Sequence, residues 1–327
     1  MFTRRVLLTT LVALSLAVPA FAEEGVELEP GLTLLAPISV APLSIFPVVA
    51  KKKEAPKGDY LTLAQGLKEK LVVVAELGSA EVNQVNVSNK SDKALLLLGG
   101  EIILGGQQDR VISSDTIVEP RHAQKVTVFC VEHGRWSGAG QFTQAGGFAE
   151  GKLRRVAKYD KAQGSVWQQV ATKTGALKAE SSTGTYRTLA TGAEGRKAIE
   201  RFASVKQALA ALPQAGEVVG LVSAVNGVVR SVDIFATPAL FQAYRDGLLD
   251  SAIVDAADAA VEKDKVAPKA ADVKAFIDEA EKAKPEEVES TPASHTVQKK
   301  GAGVSNSTLS TQKPAPPVYR SYQNSKY

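Results

Sequence analysis

The sequence predicts an α+β fold: an antiparallel β-rich N-terminal half to about Trp136, helices packed on it, a late β-hairpin and a C-terminal helix, then a disordered tail. Three observations carry that expectation. Up to Trp136, short β-branched runs alternate with turns marked by Gly and Pro. Beyond residue 160, apolar residues recur at helical spacing. Asn226-Gly227 sits between two apolar β-branched runs, a strong hairpin signal because both central positions need positive φ.

Residues 1–22 read as an export signal rather than part of the fold. Arg4 and Arg5 form a positive start, Val6 to Val18 an apolar run, and Ala20-Phe21-Ala22 a small-residue cleavage site before Glu23. The apolar run is shorter than the roughly 20 residues a membrane-spanning helix needs. The expected protein is therefore exported, periplasmic or extracellular, and not membrane-spanning after cleavage. Of 39 basic residues, 37 remain without Arg4 and Arg5, against 35 acidic ones. That balance gives no electrostatic case for nucleic acid. Cys130 is the only cysteine, so no internal disulfide can form and a packed core must supply stability.

The mature chain reads as follows. Gly31 to Pro37 and Leu43 to Pro47 are short strands, which Pro37, Pro42 and Pro47 confine to edges, ends or bulges. Lys51-Lys52-Lys53 is a solvated loop. Thr62-Leu63-Ala64-Gln65 starts a short helix. Leu71 to Leu77, Val85 to Val87 and Ala94 to Leu98 are strands. Gly99-Gly100 and Gly105-Gly106 mark positive-φ or close-approach positions. Arg110 to Val118 reads as one strand, Glu119 to Ala123 as a turn, and Gln124 to Glu132 as its partner. Ser137 to Gly147 is a flexible loop. Helices follow over Val166 to Leu177 and Ile199 to Leu212, separated by a loop or broken helix. Glu217 to Val225 and Val228 to Phe235 form the hairpin, and Thr237 caps a helix with Pro238 at its first position. Residues 23–256 form a single domain with its core from 31, and 257–284 a charged helical extension. Residues 285–327 have almost nothing apolar to bury and read as disordered. Pro316 to Tyr322 offers a peptide for a protein partner.

Candidate chemistry concentrates between Leu95 and Trp136. A thiol enzyme would pair Cys130 with His133, but strand alternation points them apart and groups Cys130 with Val126 and Val128, a core position. His122, His133, Glu101, Glu132 and Asp109 include acceptable metal ligands without a metal-binding spacing, so no metal or other cofactor is expected. The double glycines match no phosphate-binding spacing. A polar ligand cleft is the remaining reading, lined by Glu101, Gln107, Gln108, Arg110, Glu132, His133, Arg135 and Trp136, with Trp136 offering a face for a ring or sugar. The alternative is that Glu101 and Arg110 pair to brace a turn while Trp136 plugs the core.

Leu97-Leu98-Gly99-Gly100-Glu101, Gly106-Gln107-Gln108-Asp109-Arg110 and Cys130-Val131-Glu132-His133-Gly134-Arg135-Trp136 together resemble a bacterial family, the ARG and rhodanese-phosphatase-superfamily-associated protein domain. Gln163 to Trp167, and the Gly220 to Phe235 hairpin with its Pro238 helix, resemble later blocks of that family. The likeness covers roughly Gly31 to Ala256. It implies association with ADP-ribosylglycohydrolase-like and phosphatase-like proteins and no defined reaction. The functional expectation is a non-catalytic binding or sensing module for a small polar ligand or cell-envelope component, with no residue assigned a catalytic role. The alternatives are a hydrolase using the carboxylates Glu101 and Glu132, and a scaffold presenting its C-terminal tail.

Overall fold

The structure is a computed structural model that describes residues 25–51, 59–78, 81–312 and 315–327. The expected export signal, its cleavage point at Ala22 and Glu23, and Lys52 and Lys53 lie outside the described residues. The fold is α+β, built from a closed six-stranded barrel, a ten-stranded open sheet and a small three-stranded sheet.

The barrel runs, in order around its wall, Arg110–Ile112, Ala123–Cys130, Glu81–Asn89, Val72–Leu77, Gln141–Phe148 and Glu101–Gly105. Every neighbouring pair is antiparallel. Strand alternation turns one set of side chains inward. Val72, Val74, Val85, Val87, Ile103, Ile112, Val126 and Val128 fill the interior as one apolar cluster. Leu63 and Leu67, from the helix Leu63–Lys68, join that cluster at the Val72 end. The opposite face of the wall carries Ile102, Leu104, Val111 and Phe129, which pack against the helices Gly151–Arg155 and Gln163–Ala176.

The open sheet is centred on the hairpin Val218–Val225 and Val228–Phe235. Asn226 and Gly227 take φ of 49° and 75°, as a tight primed turn requires. Leu43–Ala50 pairs with one side of the hairpin and Pro317–Asn324 with the other. The helix Pro238–Ala256, capped by Thr237, lies on one face with Leu240, Phe241, Tyr244 and Leu248 buried. The helix Ala270–Lys282 covers the other face through Val273, Ile277 and Ala280. No helix of the described residues is long and apolar enough to cross a membrane.

Several expectations are corrected. The largest concerns residues 285–327, which are not disordered: they supply the strands Pro285–Ser290, His295–Lys300, Val304–Ser310 and Pro317–Asn324. Composition misled because this segment buries polar residues. Ser305, Asn306, Ser307, Ser321 and Gln323 are all at most 1% exposed, and the sheet's hydrogen-bond ladder holds them in place. The peptide around Tyr319 is accordingly an interior strand and not a free docking segment.

Arg110 to Val118 is two strands in two sheets, because Ser113 to Asp115 break out and Asp115 turns into the interior. The expected loop Ser137 to Gly147 contains the strand Gln141–Phe148. Its register shifts at Gly146-Gly147, where a Cβ on Gly146 would sit 2.9 Å from Ile102. Pro47 lies within an interior strand. Its oxygen accepts from the Leu35 amide at 2.9 Å, so its missing N–H faces the break between Leu32–Leu34 and Ile38–Val40. The helix expected over Ile199 to Leu212 is two, Ala193–Arg201 and Ala203–Ala210.

Candidate functional site

The two ends of the barrel differ in chemistry. At the end where Val72–Leu77 finishes, the inward phase that carries Val72 and Val74 reaches Glu76. The phase of Val126 and Val128 likewise reaches Cys130, and Ile112 gives way to Arg110. These three meet. Arg110 donates to Glu76 Oε1 at 3.3 Å, to Gln108 Oε1 at 3.1 Å and to Cys130 Sγ at 2.9 Å. Arg110 is only 2% exposed, so it plugs the barrel, with the Glu76 carboxylate supplying its counter-charge. Burial pushes the Cys130 thiol above its ordinary range while Arg110 opposes the shift. The thiol is thus a protonated wall group and not an activated nucleophile.

Two adjoining clefts open over this plug and share Val82. One, of about 210 Å³, is lined by Glu76, Gln84, Gln107 and Arg110. The other, of about 390 Å³, is lined by Asn83, Gln108, Cys130, His133, Trp136, Gln163 and Trp167. Trp136 is 58% exposed. The His133 ring meets Trp167 edge-on, with centroids 4.5 Å apart. Gln163 grips the end of the cysteine strand, accepting from the Cys130 amide and donating to its carbonyl at 2.8 Å each. Gln108 is likewise spent on Arg110 and on the His133 carbonyl.

Beside the mouth, Asp109 is fully buried and held by two arginines. Arg187 Nε approaches Oδ2 at 2.9 Å and its Nη2 approaches Oδ1 at 2.5 Å, while Arg135 Nη2 lies 3.2 Å from Oδ1. Thr185 and the Gly105 amide complete the shell. Glu132 accepts from Arg135 at 2.8 Å and from the Asp109 amide at 3.2 Å. Arg135 also donates to the carbonyls of Gly106 and Ser137. This network staples the Glu132 to Ser137 turn to the barrel and so fixes Trp136 over the mouth. The Asp109 carboxylate in turn raises Arg187 above its ordinary value.

At the other end lies Glu101, 5% exposed, whose Oε2 accepts from the Leu98 amide at 2.7 Å. Burial pushes its carboxyl up to about 8, against the Leu98 hydrogen bond and the nearby Arg154. Behind it sits a buried ionic network. Arg154 pairs with Asp233 at 2.7 Å and donates to the Tyr319 hydroxyl at 3.0 Å. Lys158 pairs with Asp115 at 2.8 Å and donates to Ser321 at 2.7 Å. The Gly99-Gly100 pair makes room for these stems: a Cβ would come within 2.7 Å of Lys158 and 2.5 Å of Arg154. The glycines therefore serve helix packing and cradle no phosphate.

Of the eight expected ligand residues, Gln107, Gln108, Arg110, His133 and Trp136 gather at the mouth. Glu132 and Arg135 pair with each other beside it. Glu101 stands apart, four residues along the strand from Gly105, or about 13 Å. Glu101 and Glu132 therefore do not converge. Glu101 does not pair with Arg110, and Trp136 does not plug the core, so the turn-bracing alternative is corrected. Cys130 and His133 line one cleft, yet among the described residues Cys130 bonds to Arg110 and Gln163 and not to His133. Sequence reasoning missed Glu76, Asn83, Gln84 and Arg187. Glu76 was findable as an acid on the inward phase of Val72 and Val74; Arg187 gave no signal, because only the tertiary fold brings it to Asp109.

With the geometry in place, comparison with protein families gives a match over residues 31–319 to the ARG and Rhodanese-Phosphatase-superfamily-associated Protein domain, and the chain belongs to that family. The match extends through the C-terminal strands, beyond the Ala256 limit expected from the motifs. Comparison with curated proteins and with solved structures finds no match.

Proposed function

We propose that this member of the family is an exported, non-catalytic binding module whose barrel mouth takes a small polar ligand bearing a ring, such as a sugar of the cell envelope. The observation that carries the reading is the mouth itself. A 58% exposed Trp136 stands over a cleft of about 390 Å³ that Asn83 and His133 also line, with Gln107 in the adjoining cleft. No side-chain hydrogen bond within the described residues occupies those three. An exposed indole costs solvation unless a partner covers it, and a flat ring or sugar face does so while amides and imidazole bind its hydroxyls. Export is supported by the Arg4-Arg5 start, the apolar run and the Ala20-Phe21-Ala22 site. The hydrolase alternative needs both carboxylates on one substrate, and Glu101 and Glu132 face different surroundings.

The test is a thermal-shift and calorimetric screen of the protein against muropeptides, amino-sugar oligomers, nucleotides and ADP-ribose. A binder should lose about tenfold or more in affinity in Trp136→Ala, since stacking and burial of the indole are each worth a kcal/mol or so. The exposed position makes the variant safe for folding. Equal affinity in Trp136→Ala and His133→Ala, or no binder in the screen, would count against the mouth. Mass analysis of the secreted protein checks the export half of the proposal.

A further inference from the structure

A second cavity, of about 350 Å³, lies at the barrel end opposite the mouth, between the strand Gln141–Phe148, the short helix Arg187–Ala190 and the long helix Pro238–Ala256. Phe148, Leu189, Ile199 and Val254 give it apolar walls, and no lysine, arginine or histidine lines it. An anion therefore finds no counter-charge there. Its polar wall groups are already engaged, with one exception. The Tyr244 hydroxyl donates to the Leu96 carbonyl, the Tyr186 hydroxyl accepts from the Glu150 amide, and Asp250 pairs with Lys206. The exception is Glu101.

The buried cations near Glu101 are already neutralised by other groups. Arg154 is matched by Asp233, and Lys158 by Asp115. Glu101 itself forms no ion pair among the described residues. Its Oε2 takes the Leu98 amide, and its Oε1 has no hydrogen-bond partner among the described residues. A carboxyl 95% removed from solvent, with one free oxygen lining an apolar cavity, is an expensive arrangement unless a ligand completes it. We propose that this cavity binds a small organic ammonium ion with an apolar body, and that Glu101 is its counter-ion.

Burial holds the empty-site carboxyl protonated up to about 8, with Asp115 pushing in the same direction and Arg154 against it. Tyr244, Tyr186 and the Asp250–Lys206 pair are the other titratable groups around the cavity, and the two tyrosines are held far above neutrality. When the ammonium enters, the Glu101 O–H bond breaks, its proton leaves to buffer, and the carboxylate pairs with the ligand's N–H groups. Affinity should then rise about tenfold per pH unit up to about 8 and level above it.

Calorimetry on the full chain with hexylamine, hexanamide and hexanoate, which differ only in the head group, tests this. Hexylamine should bind and hexanoate should not. At pH 6.5 about one proton should be released, read from buffers of different ionisation heat. Glu101→Gln keeps the shape and the Leu98 bond, and should lose at least about tenfold in hexylamine affinity, as a charged partner is replaced by a neutral one. Ala243→Leu, which narrows the cavity from the wall formed by the long helix, should also lose binding. Hexanamide binding as tightly as hexylamine, hexylamine binding unchanged in a folded Glu101→Gln protein, or no hexylamine binding at all would each overturn the proposal.

Discussion

Ending the chain after Lys284 should abolish the fold. The segment removed carries Val304, Leu309, Val318, Tyr319 and Tyr322, each fully buried. At about 1.5–3 kcal/mol for each buried side chain, their loss removes about 8–15 kcal/mol, an upper figure because unfolded chains already bury some surface. A whole domain has only about 5–15 kcal/mol to lose. The cut also bares the Val228–Phe235 edge and takes Tyr319 from Asp233, Ser307 from Asp115 and Ser321 from Lys158. Urea unfolding followed by circular dichroism is the assay, and the truncated chain should show no cooperative transition. Tyr319→Ala offers a gentler version, expected to cost about 3–5 kcal/mol as a large-to-small core change. Tyr319→Phe, which loses only the hydroxyl bonds, should cost about 1–3 kcal/mol. A truncated protein that unfolds cooperatively within about 2 kcal/mol of the full chain would refute the reasoning, and with it the integral role of the C-terminal strands.

Two further predictions concern the buried charges. Lys158→Met leaves Asp115 buried without its cation and should cost about 3–5 kcal/mol, part of it recovered by adding Asp115→Asn; a loss below about 1 kcal/mol would mean the pair is not desolvated as seen. Glu101 sets a pH dependence. The folded chain holds its proton up to about 8 and the unfolded chain loses it near 4.5, so between those values the folded state binds more protons. Stability therefore falls as pH rises through that window, by about 5 kcal/mol in full at about 1.36 kcal/mol per pH unit, and is level above 8. The difference between wild type and Glu101→Gln isolates this slope from other groups such as Glu150, itself pushed up to about 7 by burial. Urea midpoints from pH 5 to 9 that run parallel in the two proteins would contradict it.

Much of the site was legible in local sequence. Trp136, His133, Gln107, Gln108 and Arg110 stand out in the sequence as polar or aromatic residues at strand ends, and they line the two clefts of the mouth. Its phase with Val126 and Val128 marks Cys130 as a core residue, and that phase is what aims it at Arg110. Glu101 belongs to the same group only by nearness in sequence. A strand of five residues is long enough to carry it to the other end of the barrel, where it meets a different cavity. Asp109 shows the converse: its partner Arg187 is 78 positions away, so no local pattern could pair them.

The sequence by itself determined the elements whose causes are local. The α+β class, the Asn226-Gly227 hairpin, the Thr237-capped helix and the inward phase of the valine-rich strands follow from backbone preferences and alternation that act over a few residues. Tertiary structure alone decided where those elements close on one another. It closed six strands into a barrel, split Arg110 to Val118 between two sheets, and built one side of the large sheet, from the hairpin out to its edge, from a polar C-terminal segment. The physical reason is that a strand is stabilised by whichever edge it pairs with and whichever charges it covers. Asp115 and Lys158 reward Ser307 and Ser321 for burial that their own composition would never predict.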